Sequence, residues 1–234
     1  MKLVIGGATG FVGKELLKRA LACPEITSIV TLDRRALVVE DLNKEKLTSI
    51  VLDDFEHYPT SVMEKIGNAD ACIWTVAVAL TKSMSTPFPE TKKVTYDYTV
   101  AGIKALSESN KTENPLRFIY FSGAAVDRDL TKEPVFMPEY SKLRAGVEID
   151  LIEFAANSRG AVKVTCVRPG YIKGNRGSGY VEPQLPPGVP TVILEVCVAA
   201  VLKQCVEGIE MDPILNDDLE RIGKEAMPKY YAAQ

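Results

Sequence analysis

The sequence predicts an α/β fold: a doubly wound parallel sheet with helices on both faces and a small helical and flap region at its C-terminal end. Three observations predict it. Short apolar runs alternate with helix-patterned stretches from the first residues onward, which calls for crossover connections and hence parallel strands. The strand runs are apolar throughout rather than alternating, as expected when both faces are covered. The first run leads into Gly6-Gly7-Ala8-Thr9-Gly10-Phe11-Val12-Gly13 and then into a helix, a glycine-rich turn in its characteristic strand–turn–helix setting.

The elements follow in order. Residues 2–5 form the first strand, and residues 11–22 have helical spacing with Leu16, Leu17, Ala20 and Leu21 on one side. Residues 29–32 and 49–52 are the second and third strands. Ser61 with Glu64 three residues on reads as a capping box, opening a helix that Gly67 stops. Residues 71–78 are a long apolar fourth strand, 89–109 a helix, 116–121 the fifth strand, 139–156 a helix and 162–167 the sixth strand. Residues 191–206 and 217–226 read as two closing helices. Residues 170–190 are rich in Gly and Pro and lack periodicity. They directly follow a strand end, where open α/β sheets bind ligands, so a flap over a site is expected in preference to a plain surface loop. A chain of 234 residues accommodates all of this as one domain, 1–234.

Composition narrows the functional classes. With 46% hydrophobic and 25% charged residues the chain matches an ordinary soluble globular protein. A formal net charge of −3 gives no expectation of nucleic-acid binding. The longest apolar stretch, 191–202, contains Glu195 and is too short to span a bilayer, so no membrane partner is expected. The first strand begins at once, without a visible targeting segment, and a cytoplasmic location is expected on that ground. The cysteine number is odd, at five, and no pair has metal-ligand or CxxC spacing. The expectation is a reduced compartment and no metal, with Cys72 and Cys166 as core thiols. His57, the only histidine, stands beside Tyr58 and Pro59 and reads as a surface loop residue.

Gly7, Gly10 and Gly13 are spaced GxxGxxG. The first allows a tight turn out of the strand, the second lets backbone approach a pyrophosphate, and the third lets the helix pack closely against the sheet. The free N–H groups and positive dipole end of the helix then face the phosphates. This is the fingerprint of a Rossmann-type dinucleotide site, with Gly7, Thr9, Gly10, Phe11, Val12 and Gly13 as the cradle. The second strand ends at Asp33-Arg34-Arg35, where two signals conflict. An acidic residue binds the ribose hydroxyls of NAD, whereas arginine pairs with the 2′-phosphate of NADP. NADP(H) is the expected cofactor and NAD(H) the alternative; Asp33 would meet ribose or pair with an arginine, or the three residues would be only a solvated charged turn.

On these residues the chain resembles atypical short-chain dehydrogenases/reductases of the NmrA-like and epimerase-like kind, and in particular the small Tat-interacting-protein oxidoreductase group. The resemblance covers nearly the whole chain. It implies NADP(H) at Arg34-Arg35, an adenine contact at Asp54-Phe55, and a cofactor border at Thr75-Val76-Ala77. Phe121-Ser122-Gly123 ends the fifth strand, and Tyr140 stands in the place of the family's catalytic tyrosine. Pro169, Gly170 and Ile172, in Arg168-Pro169-Gly170-Tyr171-Ile172, resemble the segment that lies against the nicotinamide. Ile214-Leu215-Asn216 and Ile222-Gly223-Lys224 also match the Tat-interacting group.

The catalytic face departs from the family pattern. Relatives carry a lysine four residues after the tyrosine, on the same helical face. Here the order is Tyr140-Ser141-Lys142-Leu143-Arg144. Arg144 holds the lysine position, and Lys142 lies about 200° around the helix from Tyr140. Arginine stabilises a negative oxygen and binds ribose, but it does not release a proton near neutral pH. The positions after Ser122, where relatives keep a serine or threonine, are Gly123 and Ala124; Ser122 is either catalytic or a strand terminator. Three functions stay open: an NAD(P)H-dependent oxidoreductase of a small carbonyl or alcohol with Tyr140, Arg144 and Ser122 as catalytic residues, an NADP(H)-binding sensor without turnover, or a non-redox isomerase or cyclase. A homodimer through the two long helices would expose Tyr96, Tyr98 and Val100 to a partner copy.

Overall fold

In the computed structural model, residues 1–37, 44–177 and 179–231 are described. Strands β1 (Lys2–Gly6), β2 (Ser28–Asp33), β3 (Leu47–Val51), β4 (Ala71–Trp74), β5 (Leu116–Phe121), β6 (Val162–Arg168) and β9 (Ile214–Leu215) form one sheet in the order β3-β2-β1-β4-β5-β6-β9. Every pairing in it is parallel. The order runs outward from β1 in both directions, and sheets of this kind bind ligands in a crevice at such a reversal, beyond the C-terminal strand ends, here those of β1 and β4.

Alternate residues along each strand serve opposite faces. Leu3, Ile5, Ile29, Ile73, Ile119 and Val167 join one apolar layer with helices α1 (Phe11–Ala22), α7 (Leu194–Glu207) and α8 (Asn216–Tyr230). Val4, Val30, Cys72, Trp74, Phe118 and Cys166 join the other, with α2 (Thr60–Ile66), α5 (Tyr98–Ser109) and α6 (Pro138–Asn157). This two-sided burial explains the unbroken apolar runs. All five cysteines are buried and free. Burial pushes the Cys197 and Cys205 thiols up to about 12, which leaves them unreactive core groups.

Several boundaries differ from the sequence expectations. The fourth strand ends at Trp74 rather than residue 78, because Thr75 turns its hydroxyl onto the carbonyls of Gly6 (2.8 Å) and Gly7 (3.1 Å). Residues 191–193 open no helix; they form β8 (Thr191–Ile193), which pairs in parallel with β7 (Tyr171–Lys173) inside the predicted flap. The capping box at Ser61 is absent: α2 starts at Thr60 after Pro59, with no side-chain cap among the described residues. The helix expected over 89–109 follows another short helix, α3 (Leu80–Ser83), and is three pieces: a short helix, α4 (Phe88–Lys92), a π-turn at Lys93–Asp97 and α5. In that turn Thr95 Oγ1 accepts the Val78 amide at 3.1 Å, and Thr99 Oγ1 accepts the Trp74 indole N–H at 2.9 Å. These bonds tie the π-turn to the end of β4, beside the crevice. The seventh strand, β9, is only two residues long and carries no periodicity that a sequence reading can detect.

Candidate active site

The glycine turn is built as its spacing requires. Gly7 has φ +86°, in the region that L side chains rarely adopt. A side chain at Gly13 would place Cβ 2.1 Å from the Gly7 carbonyl oxygen. The third glycine therefore lets the helix approach the turn itself rather than the sheet as expected. Gly10 precedes α1, and no side chain caps that helix among the described residues. The amides at Phe11, Val12 and Gly13 occupy its first turn, where helical geometry offers no internal acceptor. Phe11 and Val12 are half-buried and pack against the apolar layer on that side of the sheet.

At the end of β2, Asp33 is 1% exposed. Its Oδ1 accepts the Thr9 backbone N–H at 2.8 Å. Its Oδ2 is buried and has no partner among the described residues. Burial raises the Asp33 pKa against the opposing effects of the Thr9 amide and of the nearby Thr9 and Thr31 hydroxyls. Asp33 thus binds the glycine turn rather than a neighbouring arginine. Arg34 and Arg35 are exposed and form no ion pair among the described residues. The structure also fixes the pair after β3. Phe55 is 1% exposed, stacked on Tyr98 with centroids 5.4 Å apart and edge-on to Trp74 at 5.9 Å. Its ring is a core group. Asp54 is engaged by the Glu56 amide at 3.0 Å, His57 at 3.4 Å and Lys93 at 3.7 Å, and these hold its carboxyl below the usual range. His57 is exposed, as expected. Val76 is buried and Ala77 half-buried on the chain leaving β4.

These features pass a test of fit for a nicotinamide dinucleotide. The turn leaves no room for a Cβ at Gly7 or Gly13, a helix start with uncapped amides faces outward, and a buried carboxylate oxygen lacks a donor beside them. Phosphates match the first two and a ribose hydroxyl the third.

The second half of the site lies on α6. Tyr140 and Arg144 are one turn apart and both buried. Arg144 Nη1 donates to Tyr140 Oη at 2.9 Å, and Tyr140 Oη donates to the Val78 carbonyl at 2.7 Å. Arg144 Nη2 donates to the Phe121 carbonyl, just before Ser122. Ser122 Oγ and Arg144 Nε are buried without partners among the described residues. The structure therefore brings Tyr140, Arg144 and the end of β5 together. The nearest carboxylate on the same helical face, Glu148, is already taken. Arg128 Nε reaches it at 2.8 Å and Arg168 Nη2 at 2.6 Å, while Arg128 also grips Asp212. Two carboxylates and two guanidiniums balance there, so Arg144 makes no direct ion pair among the described residues; it faces Tyr140 and feels the Glu148 charge only at longer range.

Sequence reading missed two participants, the Val78 carbonyl and Glu148, whereas Arg176 is expected, with Lys173, in a flap over the substrate. The Val78 carbonyl belongs to the backbone and carries no residue signature. Glu148 was detectable, since it follows Tyr140 and Arg144 at four-residue steps. Arg176, on the segment after β7, stacks on the Phe11 ring with its guanidinium 3.7 Å from the centroid, and this contact spans the whole fold. In the segment after β6, Pro169 O accepts the Ala124 amide at 2.9 Å and the Gly170 amide donates to Asn216 Oδ1 at 3.0 Å. The Ile172 carbonyl accepts from Arg176 at 2.9 Å. Tyr98 packs within its own chain on Phe55, and Tyr96 Oη donates to Asp150 of α6. Among the described residues no helix is long and apolar enough to cross a membrane, and no cluster of His, Cys, Asp and Glu could hold a metal.

Solved structures share this fold. MoeE5 in complex with UDP-glucuronic acid and NAD superposes with a TM-score of 0.71 at 16% identity, over 92% of this chain and 76% of that one. UDP-glucose 4-epimerase of Thermotoga maritima with UDP-glucose gives a TM-score of 0.68 at 16% identity, over 100% and 84%. DesIV, the dTDP-glucose 4,6-dehydratase of Streptomyces venezuelae, gives 0.69 at 14% identity, over 96% and 80%. Two curated fungal proteins are similar in sequence. The match to Protein fmp52-1, mitochondrial, of Aspergillus oryzae is 25% identical over 73% of this chain and spans 65% of that protein's length. The match to Protein FMP52, mitochondrial, of Meyerozyma guilliermondii is 25% identical over 94% and 83%. Both relatives are named as mitochondrial proteins, which overturns the cytoplasmic expectation. That expectation rested on a strand starting at Lys2, a fact about folding and not about cellular address. The family model described as NAD(P)H-binding matches residues 7–208. With its glycine turn, parallel sheet and α6 tyrosine in place, the chain belongs to this NAD(P)H-binding family, on the Rossmann-type fold of short-chain dehydrogenases and epimerases.

Proposed function

We propose that the protein is an NAD(P)H-dependent oxidoreductase of a small carbonyl or alcohol, with Tyr140 as general acid and base. The observation that carries this reading is the 2.9 Å bond from Arg144 Nη1 to Tyr140 Oη, made by a buried cation without a carboxylate of its own. Gly7, Thr9, Gly10, Phe11, Val12 and Gly13 would hold the pyrophosphate, Asp33 a ribose hydroxyl, and Pro169, Gly170 and Ile172 the nicotinamide side. Arg34 and Arg35, exposed and free of ion pairs among the described residues, support NADP(H) over NAD(H). A dinucleotide held there would provide the two-electron chemistry, a hydride for the carbonyl carbon, at the expense of its own oxidation. Tyr140 gives its proton to the carbonyl oxygen as C=O becomes C–H and O–H, and regains a proton from water. Arg144 stabilises the negative charge left on Tyr140 Oη meanwhile. Ser122 Oγ, without a partner, orients the substrate oxygen. In the dimer reading, two copies would pair through α5 and α6. The compartment in the names of both fungal relatives, the mitochondrion, is where the substrate belongs on this reading.

NADPH oxidation in the presence of a panel of ketones and aldehydes tests the proposal. Turnover that Tyr140→Phe lowers by about 10² to 10⁴-fold supports it; undiminished turnover in that variant overturns it. A second reading, a dinucleotide sensor without turnover and akin to the NmrA-like and Tat-interacting proteins, is favoured by one observation. Tyr140 already donates its proton to the Val78 carbonyl at 2.7 Å, and Arg144 cannot relay another. Tight NADPH binding with no oxidation across the panel would select it.

A further inference from the structure

A cleft of about 350 Å³ opens beside Tyr140. One wall comes from the α3–α4 segment, with Met84, Phe88 and Thr91; the other comes from the start of α6, with Met137 and Glu139. Its lining includes no lysine or arginine among the described residues, and its one charged group is the Glu139 carboxylate. Met84 is 81% and Phe88 45% exposed, so apolar surface meets water at the wall. Just before Met137, Val135 and Phe136 are exposed as well.

One polar feature stands out in this lining. Thr91 is 2% exposed, and its hydroxyl has no hydrogen-bond partner among the described residues. A buried orphan hydroxyl costs free energy unless a ligand or water meets it. The Ser83 and Thr86 hydroxyls that also line the cleft are spent on the carbonyls of Leu80 and Lys82, so beside its apolar surface and the Glu139 carboxylate the cleft offers the hydroxyls of Thr91 and Tyr140.

The charge pattern excludes a class of ligand. A nucleoside diphosphate sugar carries a pyrophosphate, and its transfer out of water requires cations or free amides. Here the start of α6 carries Pro138, which has no N–H, and Glu139, which opposes the helix dipole. An anion would meet a carboxylate and two thioethers. Methionine side chains instead adapt to the shape of an apolar guest.

We propose that this cleft takes an uncharged, largely apolar carbonyl or alcohol, with one oxygen at Tyr140 and a second polar group at Thr91, rather than a nucleoside diphosphate sugar. The proposal rests on the oxidoreductase reading for what happens to that guest, but not for its binding.

Calorimetric titration of the NADPH-saturated protein with 2-decanone, acetophenone and cyclohexanone, and separately with UDP-glucose, tests it. At least one ketone binds and UDP-glucose does not. Phe88→Ser weakens the ketone by about fivefold or more through lost apolar contact, and Glu139→Lys does not strengthen it, while the melting temperature of both variants stays near that of the native chain. Binding of UDP-glucose, binding of none of the three ketones, or an unchanged ketone affinity in Phe88→Ser overturns the proposal. Ketone binding without NADPH oxidation keeps this pocket and removes the oxidoreductase reading. Ketone turnover untouched by Phe88→Ser does the reverse.

Discussion

Asp33 Oδ1 accepts the Thr9 backbone N–H at 2.8 Å, so the end of β2 holds the glycine turn in shape before any ligand arrives. The same carboxylate keeps its second oxygen buried and unpartnered. One residue therefore braces the cradle and presents an acceptor to it, and it does so at a cost in stability.

That cost is measurable against pH. Burial raises the Asp33 pKa above 3.8, with the Thr9 amide opposing. Between 3.8 and the raised value the folded state binds more protons than the unfolded chain, so stability falls as pH rises through that window and stays lower above it. Asp33→Asn keeps an acceptor for Thr9 and removes the charge. Its melting temperature should exceed that of the native protein at neutral pH and converge with it as pH falls toward 3.8, while dinucleotide affinity drops. A variant less stable at pH 7 than at pH 4, relative to native, contradicts the assignment.

Cofactor choice should follow the two arginines. Arg34→Ala and Arg35→Ala should each weaken NADPH by about tenfold, the scale of one charge-assisted hydrogen bond, and leave NADH within about twofold. Fluorescence titration with both nucleotides decides; equal losses for the two would place the arginines away from the 2′-phosphate.

Gly13 tests the cradle by shape alone. Gly13→Ala puts a methyl 2.1 Å from the Gly7 carbonyl oxygen, a backbone atom that cannot swing aside. The expected result is a destabilisation of about 1–3 kcal/mol in urea denaturation, with dinucleotide binding lost. Native-like affinity would show that the turn opens freely.

Arg144 divides its guanidinium between Tyr140 Oη and the Phe121 carbonyl, a reach that suits a planar fork. Arg144→Lys restores the residue type that relatives carry but loses one of those bonds. We expect kcat to fall about tenfold or more with the dinucleotide Kd little changed. A higher kcat would mean that arginine impairs this site.

Glu148 sits fully buried between Arg128 and Arg168. Glu148→Gln leaves both guanidiniums without their shared anion and should cost about 3–5 kcal/mol in chemical denaturation. It also removes the negative charge that acts on Arg144 from one helical turn away. A loss below about 1 kcal/mol would reduce the cluster to a surface ion pair.

The sequence by itself determined the parallel sheet, the glycine turn and the Tyr140–Arg144 face. Each is a local matter: apolar runs long enough to be buried twice, a backbone that needs residues without side chains, and two positions one helical turn apart. It also carried Asp33, Arg34 and Arg35 to the end of β2. Tertiary structure alone decided how these groups are used. Phe55, expected at the base of the dinucleotide, is spent on the core because Trp74 and Tyr98 converge on it from distant segments. Asp33 turns to Thr9, and Tyr140 to Val78, through backbone groups that no residue pattern announces. The short strands β7, β8 and β9 contain residues that favour extension, such as Tyr171, Ile172, Thr191, Val192, Ile193 and Ile214, but two or three residues are too few to show a period, and it is pairing with a neighbouring strand that fixes them. Periodicity reports what a segment buries. Which partner it meets depends on chain closure over tens of residues, and that information is held only in the folded arrangement.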